Sequence, residues 1–124
     1  MSEVFTGTDW VRSGDYESLR VTAVLAQIAR DLVLLNDLYH IVIKDVVIGE
    51  LYTGITRCHE IILQKKTGVG ESFNHCQKVY IEAVSGLVTP VATGNVLCGH
   101  AHENGAGESD TDVMIHFDAL LALS

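Results

Sequence analysis

The stretch from residue 78 to residue 89 constrains this chain more than any other. Lys78-Val79-Tyr80-Ile81-Glu82-Ala83 alternates apolar and polar side chains, which places Val79, Ile81 and Ala83 on one face of a strand. Ser85-Gly86 supplies a turn, and Leu87-Val88-Thr89 leads back, so the stretch predicts a β-hairpin. Pro90 lacks a backbone N–H and fits an edge or a bulge better than a central ladder. Residues 112–117 repeat the period of two, with Val113, Ile115 and Phe117 facing a core. Further β-branched and aromatic runs lie at 38–43, 45–50, 55–63 and 95–102, separated by Gly-, Asn- and Asp-rich turns. Short strands at intervals of about 8–12 residues indicate a barrel or a sandwich. The expected fold is mainly β: a single small β-barrel or β-sandwich over residues 19–124, with an N-terminal arm over residues 1–18 and at most a short helix.

Two parts resist this pattern. Residues 1–18 are polar and broken by Gly7 and Gly14, and read as an arm that ends in an edge strand or as a poorly ordered terminus. In residues 19–35, Val21, Leu25, Ile28, Leu32 and Leu35 fall at helical spacing, yet residues 32–35 form a continuous apolar run before the turn pair Asn36-Asp37. Periodicity alone leaves helix and strand both open there.

Charge excludes some functions. Eight basic residues against sixteen acidic ones leave a net charge of −8, and only Lys65 and Lys66 are adjacent cations. Nucleic-acid binding needs a positive surface, so no nucleic-acid partner is expected. Apolar residues make up 48% of the chain, yet no run approaches the roughly 20 residues that span a bilayer. The surplus hydrophobicity reads as buried strands and a protein–protein interface. Cys58, Cys76 and Cys98 are odd in number, form no CxxC, and follow an N-terminus that is neither basic nor apolar. They read as reduced thiols in a protein made in a cytoplasm.

The residues that carry chemistry are few. Cys98, His100 and His102 alternate, so a regular strand would point all three to one face, and His116 on a neighbouring strand completes a candidate zinc or iron set. The bland alternative is a solvated face or a subunit contact, with Leu97, Gly99 and Ala101 on the core side. Cys58 and His59 are neighbours and point to opposite faces of a strand, so they do not pair. His75-Cys76 sits in a loop without an orienting carboxylate or oxyanion donors. Gly68-Val69-Gly70-Glu71-Ser72 lacks the Gly-Lys-Ser/Thr ending of a phosphate loop. Glu103, Glu108, Asp110 and Asp112 crowd one loop without EF-hand spacing and read as a solvated tip. No catalytic residue, metal or cofactor is expected.

The segments Gln77-Lys78-Val79-Tyr80, Ser85-Gly86-Leu87-Val88-Thr89, Ala92-Thr93-Gly94-Asn95 and Gly99-His100-Ala101 resemble the C-terminal half of a family of small tailed-phage proteins. That family is catalogued as a domain of unknown function and described as capsid decoration, cement or head-fibre proteins. Arg30-Asp31-Leu32-Val33-Leu34-Leu35, Ile48-Gly49-Glu50 and Leu63-Gln64-Lys65-Lys66-Thr67-Gly68 have counterparts there too, so the resemblance covers roughly residues 20–117. Arg30 and Gln77 depart from it, standing where family members often carry Gly, and the arm matches nothing in it. The resemblance implies strand for residues 31–35 and a mostly β fold that assembles as a dimer or trimer. It also implies a virion location on the outside of a capsid, with the major capsid protein as partner and no membrane. Phe5 and Trp10, isolated aromatics in the polar arm, are the candidate capsid contacts; the competing reading has Trp10 closing one end of the barrel. The function expected is a structural virion module without catalysis, and the alternative is a small metal-binding barrel using Cys98, His100, His102 and His116.

Overall fold

The alternation at Val113, Ile115 and Phe117 is realised in a strand whose every second side chain is buried. The computed structural model describes residues 16–35, 37–102 and 105–123. They form eight strands: β1 Tyr16–Thr22, β2 Leu32–Leu35, β3 Leu38–Val42, β4 Leu51–Gln64, β5 Lys78–Glu82, β6 Leu87–Thr89, β7 Val96–Ala101 and β8 Asp112–Asp118. A 3₁₀ turn, Ala119–Leu123, follows β8. All pairings between these strands are antiparallel, in the order β2-β3-β4-β8-β7-β5-β6, with β1 on the other side of β4.

Beyond the end of β4 the sheet curls back on itself. Lys65 bridges to Val88 of β6, and the Lys66 amide donates to the Val88 carbonyl at 3.0 Å. The second half of β4 thus joins β8, β7, β5 and β6 in a nearly closed barrel, and closure removes exposed strand edges. Its interior is packed by Ile55, Cys58, Ile61 and Leu63 of β4, Val79 and Ile81 of β5, Val88, Cys98, and Val113, Ile115 and Phe117 of β8. Ala119, at the start of the 3₁₀ turn, is buried in the same core.

The first half of β4 belongs to a different layer. Val21, Ala23, Val42, Val46 and Tyr52 make a second, smaller core, with Leu19 and Val33 against it. β3 serves both, since Tyr39 and Ile41 face the barrel while Val42 faces the outer core. His40 is fully buried on the Val42 side and lies 2.6 Å from the Tyr52 hydroxyl through Nε2. Room for this ring comes from Gly54, where a Cβ would lie 2.6 Å from His40 Cδ2.

Two departures from regular pairing re-phase the side chains. Between Cys58 and Ile61, β4 advances three residues while β8 advances two, so His59 and Glu60 together face His116. Between Leu97 and Gly99, β7 advances two residues while β5 advances one, which leaves Cys98 as the extra residue of a bulge. Gly99 permits the strands to close here, because a Cβ at this position would sit 1.9 Å from the His116 carbonyl oxygen.

Several expectations need correction. Residues 19–35, where helix and strand were both open, hold no helix: β1 ends at Thr22, residues 23–31 form a loop, and β2 begins at Leu32, within the stretch for which the resemblance implied strand. The helical spacing is broken by burial, since Val21 is in the outer core while Leu25 and Ile28 are 61% and 60% exposed. The edge strand at the end of the arm starts at Tyr16, so residues 16–18 belong to β1. Residues 45–50 are a loop that holds Val46 in the outer core, and Ala83 lies in the exposed turn after β5. Arg30, where the resembling family often has Gly, adopts φ 74°, a left-handed conformation costing about 1 kcal/mol for a residue with a Cβ. Its amide donates to the Val42 carbonyl at 2.8 Å and its guanidinium pairs with Asp112 at 3.0 Å, which hold it there.

Candidate functional site

Two features stand out among the described residues, at different places on the molecule. The first is an apolar tip beside the outer core. The loops 23–31 and 43–50 run side by side, joined by backbone hydrogen bonds between Ala23 and Glu50, between Gly49 and Ala23, and in both directions between Gln27 and Val46. Buried Ala23 and Val46 anchor these loops from below. The residues between the anchors point outward: Val24 is 74% exposed, Val47 66% and Ile48 69%, alongside Leu25 and Ile28.

Side-chain acceptors shape the same loops. Asp31 accepts from the Ile28 amide at 3.0 Å, Asp45 from the Ala29 amide at 2.9 Å and Glu50 from the Val47 amide at 3.2 Å. Glu50 also pairs with Lys44 at 3.1 Å, and this hydrogen bond is the leading cause that holds its carboxyl below the usual range. The tip is therefore a preformed surface, which lowers the ordering cost of any contact made there. β2 also exposes an apolar side chain, Leu34 at 52%, and within the described residues it pairs with β3 alone.

The second feature is a histidine cluster on the outer face of the barrel. His100 of β7 is the register partner of His116 of β8, and their rings stack with centroids 5.0 Å apart and planes 11° apart. His59 of β4 reaches the other side of His116, with the two Nδ1 atoms 3.2 Å apart. Burial is the first cause that lowers the His116 pKa from the ordinary value, and repulsion from His100, His59 and Arg57 adds to it. Arg57 is itself paired with Glu17 at 3.2 Å and approaches Asp118 at 4.0 Å. A shallow pocket lined by Tyr16, Glu17, Arg57 and His59 opens beside the cluster.

The four residues of the alternative metal-binding reading are not brought together as one set. The bulge at Cys98 turns its side chain into the barrel core while His100 points out, so Cys98 and His100 do not share a face. Burial pushes the Cys98 thiol far above its usual pKa, the opposite of what a thiolate ligand needs. His102 lies one residue beyond β7, its amide donating to the Met114 carbonyl at 2.9 Å. Among the described residues, no group of three or more His, Cys, Asp or Glu is arranged to hold a metal ion. Of the four, His100 and His116 meet, and His116 also meets His59, which a period-two reading could not link to it. Cys58 and His59 do point to opposite faces, Cys58 into the core and His59 outward. Cys76 is an exposed free thiol. Phe5 and Trp10 lie outside the described residues.

A third arrangement is structural. The Lys65 side chain is buried, and its Nζ donates to the carbonyls of Lys66, Gly107 and Asp110 at 2.7, 3.0 and 3.0 Å. It ties the end of β4 to the loop before β8. Burial lowers its pKa, opposed by the nearby carboxylates of Asp110, Glu71 and Glu108.

No protein-family model matches this chain, nor does any curated protein or solved structure.

Proposed function

We propose that this chain is a non-catalytic structural module that docks through its apolar tip onto the outer surface of a larger protein shell. The observation that carries the reading is the tip itself. Val24, Leu25, Ile28, Val47 and Ile48 are displayed on loops whose backbone groups are tied together beside the outer core. Large exposed apolar side chains clustered on a preformed surface are costly in water and useful in an interface. The resemblance to decoration and cement proteins of tailed phages selects the partner: a major capsid protein, with the virion exterior as location and a dimer or trimer as the assembled form. The position of Arg30 supports the likeness, since its left-handed backbone is what a family glycine would supply. Many copies on one shell make weak individual contacts effective, and binding the assembled shell in preference to its parts stabilises it.

Cosedimentation with assembled phage heads tests this. The wild-type chain is expected in the pellet and a Val47→Asp/Ile48→Asp variant in the supernatant, with an unchanged far-UV spectrum. Pelleting of the double variant at the wild-type level would remove the tip as the docking surface. Failure of the wild-type chain to bind any assembled head would remove the capsid reading.

A further inference from the structure

We propose a divalent transition-metal site on the outer face of the barrel, formed by Nδ1 of His59 and Nδ1 of His116, with water completing the coordination. The two nitrogens are 3.2 Å apart. Two imidazole nitrogens on one ion, each at the usual zinc–nitrogen distance, stand about 2.9–3.4 Å apart for bond angles between 90° and tetrahedral. The backbone produces this separation. The bulge in β4 sets His59 and Glu60 together against His116, which brings a side chain from each strand over the same point. Imidazole donors favour zinc, nickel and copper over the hard alkaline-earth ions.

The surroundings fit a two-ligand site. His100 stacks on the ring of His116 at 5.0 Å with nearly parallel planes. Parallel rings at that distance do not aim their nitrogens at one ion, so His100 supports the His116 ring and is not a ligand. Arg57 would oppose a cation, and its charge is met by Glu17 and Asp118. His59 is solvent-exposed, so an ion reaches the pair without opening the barrel. The site is independent of the apolar tip and of the capsid reading, since it lies on β4 and β8 and uses none of the tip residues.

The test is calorimetric titration of the full chain with zinc and with nickel, in a Cys76→Ser background that removes the exposed thiol beside His75 as a competing ligand. One ion per chain is expected. His59→Ala and His116→Ala should each weaken binding about tenfold or more, because the remaining histidine loses its chelate partner. His100→Ala should stay within about twofold of the parent. Proton–nitrogen correlation spectra of the imidazoles, recorded on the same parent protein, should show both Nδ1 atoms of His59 and His116 shifting together on zinc addition. Absence of stoichiometric binding, or binding untouched by the His59 and His116 substitutions, overturns the site. A loss in His100→Ala as large as in His116→Ala overturns the two-ligand assignment.

Discussion

The molecule has two hydrophobic cores, and they differ in how completely they are enclosed. The barrel core is surrounded by paired strands and joined to itself through Lys65 and Val88, and Ile55, Cys58, Ile61, Ile115 and Phe117 are fully buried. The outer core rests on β1, β3 and the first half of β4 and is roofed by the loops 23–31 and 43–50. Among the described residues, β1 pairs with β4 alone and β2 with β3 alone. The barrel's exposed apolar residues, Val69, Val84 and Val91, are scattered over separate loops, whereas the outer core is rimmed by Val24, Leu25, Val47 and Ile48. A small fold can therefore keep one core self-sufficient and offer the rim of the other to a partner.

Breaking each core in turn gives the largest contrast. Phe117→Ala should cost about 3–5 kcal/mol, enough to unfold much of a marginal domain. Val42→Ala, in the outer core, should cost about 2 kcal/mol. Chemical denaturation followed by near-UV absorbance change measures both, and equal costs would dissolve the distinction. Hydrogen exchange sharpens it: amides of β8 should exchange by global unfolding, and those of residues 23–31 through local opening.

Next in size is Gly99→Ala. The added Cβ has the His116 carbonyl in its way, so β7 and β8 must separate locally, at about 3 kcal/mol or less if the strands relax. Loss of the ring contact between His100 and His116 in imidazole spectra should accompany it. Full retention of that contact and of stability would show that the bulge does not depend on glycine.

Lys65→Met should cost about 1–3 kcal/mol, by leaving three carbonyls without their shared donor. The effect should concentrate in faster exchange at residues 107–111 rather than across the barrel.

The smallest expected effect appears with pH. Burial lowers the His40 pKa, so the unfolded chain takes up a proton before the folded one does. Its contribution is intact above the ordinary histidine value of 6.5 and is lost as pH falls below it. Denaturation midpoints measured between pH 7.5 and 5 should fall less in His40→Phe than in the wild-type chain. Parallel pH profiles would remove His40 as the cause.

Much of the barrel was legible along the chain because its cause is local. At Val113, Ile115 and Phe117, and at Val79 and Ile81, every second side chain is apolar and a strand buries one face. Asp37 and Ser85-Gly86 stand at turns for equally local reasons. The candidate site was legible only in part. His100 and His116 fell on neighbouring strands as expected, whereas Cys98 turned inward and His59 arrived from a third strand.

What the sequence alone determined is the strand-rich character of the chain, its main turns, and an acidic composition with more apolar residues than one small core needs. The tertiary structure decided the phase of each strand. An extra residue in β4 and another in β7 each rotate the following side chains to the opposite face, and a bulge forms where partner strands must bend around a closing barrel. No window of a few residues contains that requirement. The same holds for residues 23–31, whose helical spacing yields to the pairing of Gln27 with Val46, distant along the chain.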